Sequence, residues 1–286
     1  MTGSGKTTFI SKVTGRTDLK IGHDLTSCTQ DIQVVDTELD GRIVRFVDTP
    51  GFSDTYLSDT EVLEMIADYL AMAYSQKIQL SGIIYLHPIS HNRVTHHATK
   101  NLDMFRKLTG EKNLKNVMLT TSMWDKGPEE EGVKRERELK NKFWDVLIAF
   151  GARYARHDGT ECSAKRIASL LVRNKPFYLQ LQEEMGGANK ALKDTAAGQE
   201  IMAELEQMKV KHQKELAEMK EMLQRTSAEE NKAAAAALEK HYQKMLRELE
   251  RTLADERRMN DATVKSLTER LEALERRGEG SFCAVM

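Results

Sequence analysis

Gly3-Ser4-Gly5-Lys6-Thr7-Thr8 stands near the start of the 286-residue chain, and its reading decides the fold. The run matches the end of the pattern G-x-x-x-x-G-K-[ST]. Glycines let backbone N–H groups converge on phosphate oxygens with no Cβ in the way. Lys6 is placed to reach the β- and γ-phosphates and the Thr7 hydroxyl to ligate Mg²⁺. The helical run from Thr7-Thr8 onward points its N-terminal dipole at the anion. Gly3, Ser4, Gly5, Lys6, Thr7 and Thr8 are therefore candidate nucleotide-binding residues. Lys6 is also a candidate catalytic residue, since phosphoryl transfer rests on stabilising phosphate charge.

The first glycine of that pattern falls one position before Met1, and the strand that normally feeds the loop is missing. Such a strand is central to its sheet. Its loss removes two strand interfaces, more than a stability of ~5–15 kcal/mol absorbs. The expectation is a truncated sequence or a start further upstream.

Outward from the loop, Arg42 to Asp48 reads as an apolar strand ending in Asp48-Thr49-Pro50-Gly51, a D-x-x-G element. In phosphoryl-transfer switches the aspartate holds Mg²⁺ through water and the glycine N–H senses the γ-phosphate. Between the two motifs Thr29 is the candidate switch threonine, a metal ligand and catalytic residue, with Thr26 as runner-up. After the buried run Asn116 to Ser122 comes Ser122-Met123-Trp124-Asp125, where [NT]-K-x-D is expected. Asp125 is placed to accept from guanine N1 and N2. Ser122 and Met123 depart from the pattern, and Met123 can replace the apolar packing of a lysine stem.

Ser163-Ala164-Lys165 matches the last motif of such domains, S-A-K, but Ile167, Leu170 and Leu171 put it in the first turns of a helix capped by Thr160. The loop before it, His157-Asp158-Gly159, is the better candidate for the base, so His157 and Asp158 join the binding set. Phe52 follows Gly51 where a water-orienting glutamine stands in Ras-like enzymes. Intrinsic hydrolysis is expected to be slow unless a second molecule or another residue supplies the group; Asp54 and His23 are candidates.

From Met1 to about Arg173, short apolar runs alternate with helical spacings: strands at 31–37, 42–48, 80–87, 116–122 and 153–157, helices at 60–75, 98–108, 129–150 and 162–172. Alternation of this kind implies a mostly parallel sheet covered on both faces. The fold class is α/β: a Ras-like P-loop three-layer domain over residues 1–175, without its first strand. Residues 176–199, with Pro176, Gly186-Gly187 and Gly198, read as a linker. Residues 200–277 hold no proline or glycine, and Ile201, Leu205, Met208, Met219, Met222, Leu238, Tyr242, Met245 and Leu249 recur at 3,4 spacing. That is a coiled coil with stutters. A solvated single helix held by i,i+4 pairs is the alternative.

The combination DTPGFSDT, GIIYLHPISHNR and NVMLTTSMWD resembles the septin-related GTPases, including the GIMAP proteins and the Toc GTPases of chloroplast import, and looks closest to fungal G-domain proteins with a C-terminal coiled coil. Arg153-Tyr154 through Asp158 is similar to the R-Y-x-x-x-[ND] stretch of GIMAP proteins. The resemblance covers residues 2–175. It implies GTP and GDP as ligands, Mg²⁺, a frequent lack of the catalytic glutamine, and homodimerisation of G domains across the nucleotide, often at a membrane.

Residues 278–286 read as a flexible tail ending Cys283-Ala284-Val285-Met286, a C-a-a-X box, so Cys283 is a candidate lipidation site. One prenyl chain binds membranes marginally, and a coiled-coil dimer presents two. The net charge of −1 argues against nucleic acid as a partner. Three scattered cysteines, Cys28, Cys162 and Cys283, form no disulfide framework. With no membrane span or signal core, the expected location is cytoplasmic, on the cytoplasmic face of a membrane when lipidated. Histidines at 87, 91, 96 and 97 lack nearby cysteines, so a zinc site is disfavoured. Two other readings compete: a structural coiled-coil protein with an inactive G domain, and a transporter-type ATPase. The second needs L-S-G-G-Q, and Leu80-Ser81-Gly82 stops short of it.

Overall fold

The computed structural model describes residues 3–18, 31–52, 56–90, 96–226, 232–261 and 283–285. Helix α1 (Lys6–Thr14) leads to the hairpin β1 (Gln33–Leu39) and β2 (Arg42–Asp48), then α2 (Asp59–Ser75), β3 (Leu80–Pro88), α3 (His96–Thr109) and β4 (Val117–Ser122). The hairpin turn is only Asp40-Gly41, both at positive φ, which carries β1 on to Leu39 and pairs it with Arg42. Next come α4 (Glu129–Glu138), a widened turn at Leu139–Phe143, α5 (Asp145–Ala149), β5 (Arg153–Arg156) and α6 (Glu161–Val172). The expected single helix over 129–150 is thus broken at Leu139–Phe143, where the change of pitch turns Trp144 into the core at 2% exposure.

With β6 (Cys283–Val285) as the last strand, the sheet order is β1-β2-β6-β3-β4-β5, with β1–β2 antiparallel and the other pairs parallel. From Ile83 onward alternate residues of β3 serve the two faces: Ile83 and Tyr85 join the core under α2 and α3, while Ile84 and Leu86 join the core under α1 and α6. β4 is buried at every residue, as a strand covered on both faces must be. A Cβ on Gly82 would lie 2.6 Å from Leu171 Cβ, so glycine there lets α6 settle directly on β3. This is the Ras-like P-loop three-layer arrangement.

Residues 176–199 are not a free linker. In and around α7 (Gln180–Gln182), Leu179, Leu181, Met185 and Leu192 are all buried, and Gln182 Nε2 donates to Leu70 O at 3.1 Å. The helical region follows as α8 (Ala196–Thr226) and α9 (Lys232–Asp261). Rather than running on as one rod, α9 returns along α8, with Lys209 on Glu256 at 3.0 Å. Both helices dock on the domain. Ile201, Leu205 and Met259 enter its main core, Lys100 bridges Asp59 and Glu204, and Ser58 Oγ donates to Asp255 Oδ1 at 2.8 Å. Ile201 and Leu205 from the expected seam are buried, while Met208 and Met222 are exposed. Among the described residues no helix is long and apolar enough to cross a membrane.

The last strand, β6 (Cys283–Val285), lies between β2 and β3, parallel to both. This is the central place expected for the strand before the phosphate loop. Of the stretch 278–286 read as a flexible tail, only Cys283–Val285 is described, and there the backbone is paired with strands on both sides; the other residues of that stretch lie outside the described residues.

Candidate nucleotide-binding site

Three chain segments meet at the C-terminal ends of the parallel strands. The loop before α1 bends through two left-handed glycines, Gly3 at φ 71° and Gly5 at φ 88°, with nothing near enough to touch a Cβ at either position. α1 has no side-chain cap and no acidic residue in its first turn. By position, its leading N–H groups point out of the helix, beside the positive end of the dipole.

Below that turn, Thr7 Oγ1 donates to Asp48 Oδ2 at 2.5 Å. Asp48 is 3% exposed, and its Oδ1 is buried with no hydrogen-bond partner. Burial pushes its carboxyl pKa up, against the Thr7 hydrogen bond and the charge of Lys6. A hydroxyl and a half-satisfied buried carboxylate beneath the N-terminus of α1 fit a hard divalent cation such as Mg²⁺, an oxygen-seeking ion. Gly51 follows on the Thr49-Pro50 turn. Phe52 packs its ring against the core beside α2, and its carbonyl accepts from Asn101 Nδ2 at 3.2 Å.

The third segment is the end of β4. Ser122 is 3% exposed, and its hydroxyl donates to Ser4 O at 2.9 Å, tying the glycine-rich loop before α1 to the end of β4. Sequence reasoning treated Ser122 only as a departure from [NT]. No pattern in the sequence marks this tether, because its partner lies 118 residues away. Met123 takes a left-handed conformation, φ 60°, and its Sδ receives the Ser90 hydroxyl at 3.8 Å. Asp125 then stands out on a short 3-10 turn with its side chain 70% exposed.

The loop after β5 is divided between packing and capping. The His157 ring is buried, set edge-on against Phe9 at 5.1 Å, with Nδ1 2.8 Å from Ser163 Oγ. Burial pushes the His157 pKa down. Asp158 is held well below the ordinary carboxylate range by hydrogen bonds from Ser163 and Thr160. Its Oδ1 accepts from Thr160 N at 2.9 Å and Thr160 Oγ1 at 2.6 Å. Thr160 in turn caps α6 by accepting from Ser163 N, so Ser163-Ala164-Lys165 lies in the helix's first turn as its spacing indicated. The His157 and Asp158 side chains therefore build this loop, and its backbone is what remains to face a ligand. Thr29, Thr26, His23, Asp54 and His91 lie outside the described residues.

Residues 1–121 match the family model of the 50S ribosome-binding GTPases. The matched stretch holds the phosphate loop, Asp48 and Gly51, and stops just short of Ser122. No curated protein matches the sequence. Among solved structures the chain is similar to Toc33 from Arabidopsis thaliana in complex with Mg²⁺ and GMPPNP, at 14% identity and a TM-score of 0.48, covering 62% of this chain and 84% of that one. It is similar to the same protein with GDP and Mg²⁺ at 12% identity and a TM-score of 0.48, over the same shares. A dimerization-deficient Toc33 mutant gives 12% and 0.49, again covering 62% and 84%.

Proposed function

We propose that this chain is a guanine-nucleotide-binding GTPase with slow intrinsic turnover, working as a nucleotide-controlled dimerising switch or scaffold. The observation that carries this reading is the Thr7–Asp48 contact with its orphaned Oδ1, lying beneath an uncapped helix N-terminus.

In this reading Gly3, Ser4, Gly5, Lys6, Thr7 and Thr8 wrap the phosphates through backbone N–H groups, and Lys6 adds its charge. Thr7 and Asp48 hold Mg²⁺, with Thr29 completing the set from the switch loop; when bound, the ion neutralises charge on the β- and γ-phosphate oxygens. The Gly51 N–H senses the γ-phosphate. Asp125 accepts from guanine N1 and N2, and backbone groups of His157 and Asp158 border the base.

Turnover is slow because Phe52 carries no acceptor and its ring is committed to the core. The group that orients water must come from elsewhere, and the resemblance to septin- and Toc-related GTPases makes a second G domain the natural source. Self-association through the helical region, and lipid attachment at Cys283 on the cytoplasmic face of a membrane, belong to the same proposal. The lipid step requires β6 to leave the sheet.

A specific observation keeps a second reading open. With Phe52 packed inward, a structural protein whose G domain binds but does not hydrolyse is also coherent. Single-turnover phosphate release, measured across a range of protein concentrations, separates the two. Release whose rate per molecule rises with concentration supports the dimerising GTPase; nucleotide bound with no release at any concentration supports the structural protein.

A further inference from the structure

We infer that Trp124 and Arg156 are positioning residues that aim Asp125 at the guanine base, and so set the preference for guanine over adenine. The inference rests on the nucleotide reading above and adds how this chain holds a base-reading aspartate without the usual lysine.

Three elements grip the indole of Trp124. Its Nε1 donates to Thr121 Oγ1 of β4 at 3.0 Å. The Arg156 guanidinium of β5 lies over the ring, 4.2 Å from its centroid. On a third side stands Gly132 of α4, where a Cβ would come within 2.8 Å of Trp124 Cζ3.

Arg156 is fixed in its turn. Its Nε donates to Glu136 Oε1 at 3.0 Å and its Nη2 to Oε2 at 2.5 Å, the two-pronged geometry that sets a guanidinium plane. Glu136 is buried at 6% exposure. Burial alone would raise its pKa, but the Arg156 hydrogen bond and the Lys140 charge outweigh it and hold the group ionised. Lys140 Nζ sits 3.5 Å from the same carboxylate and 3.7 Å above the Tyr154 ring. One buried carboxylate therefore anchors two cations, each covering an aromatic ring. The Arg156 side chain is 43% exposed, and an ion pair with one partner in solvent contributes little to stability. What this one supplies is direction: α4, β4 and β5 converge on the residue immediately before Asp125.

A base-reading carboxylate must keep both oxygens within hydrogen-bond reach of two donors, and a displacement of ~1 Å costs about 100-fold in a positioned interaction. The phosphates are held at a separate place, on α1. Loosening Trp124 should therefore weaken guanine recognition while leaving phosphate affinity in place.

The test is the ratio of GTP to ATP affinity, with Mg²⁺ present, in the full chain and its variants. Arg156→Met should lower the ratio roughly tenfold or more and leave ATP affinity within about twofold; Arg156→Lys, keeping charge without the flat stack, should fall between. Gly132→Ala supplies a second route that removes no contact: it favours the helix but pushes on the indole, and should also lower the ratio. A wild-type ratio preserved in both Arg156→Met and Gly132→Ala overturns the inference alone. Equal losses of GTP and ATP affinity in both variants also overturn it, since a merely structural role moves both together. A wild type without guanine preference overturns the inference together with the nucleotide reading beneath it.

Discussion

Thr7 and Asp48 are 41 residues apart in the chain and 2.5 Å apart in space. That meeting was legible beforehand, because each residue belongs to a short pattern whose chemistry requires the other nearby. Asp48→Asn keeps the shape and a partner for Thr7 but gives up the charge. It should lower Mg²⁺-dependent nucleotide affinity by roughly 10- to 100-fold, with little change in affinity when Mg²⁺ is chelated. Titrating GDP with and without Mg²⁺ checks this. Asp125→Asn should cost guanine about 100-fold, because an amide offers one acceptor where the base presents two donors. The same change should recover xanthine nucleotides, whose ring carries an oxygen at that position, in a competition assay. Other residues of the site were not legible. Ser122, Arg156 and Glu136 belong to no pattern, and their partners lie 118 and 20 residues away. Only the packing of β4, β5 and α4 brings them into play.

Among the elements, the strands followed closely from apolar run length and turn chemistry. β2, β3 and β4 stand within a residue of where their residues indicated, while β1 runs two residues later than the expected 31–37, to Leu39. The helix over 129–150 was less legible, since its interruption serves Trp144 and that need is tertiary. The joint between β5 and α6 makes a prediction at this scale. His157 is buried with its pKa pushed down, so the native state resists a proton that the unfolded chain takes up near pH 6.5. Stability should therefore fall as pH drops below about 6.5, while nothing from this group changes above it. Urea midpoints at neutral and mildly acidic pH should separate, and His157→Gln should narrow the gap. A gap of unchanged size would place the acid sensitivity elsewhere.

At the scale of the whole molecule, heptad spacing spoke for helices but not for their destination. Ile201 and Leu205 have the same spacing whether they meet a second chain or their own domain, and here they enter the domain core. Two kinds of contact hold the helices there. The ion pairs of Lys100 and Lys107 with Glu204 and Glu200 are partly exposed, and pairs of that kind contribute ~0–1 kcal/mol each. Truncating a buried leucine or isoleucine costs about 2–5 kcal/mol. Ile201→Ala with Leu205→Ala should therefore expose residues 200–261 to limited proteolysis, whereas Lys100→Ala should not; the cleavage pattern decides which contact holds the docking.

The central claim is that the site takes a guanine nucleotide with Mg²⁺, and equilibrium binding of GDP, GTP and ATP to the full chain, with and without Mg²⁺, tests it most directly. The account predicts GDP and GTP bound at least roughly tenfold more tightly than ATP, with the affinity falling when Mg²⁺ is removed. Equal binding of ATP, or no nucleotide bound at all, would contradict it.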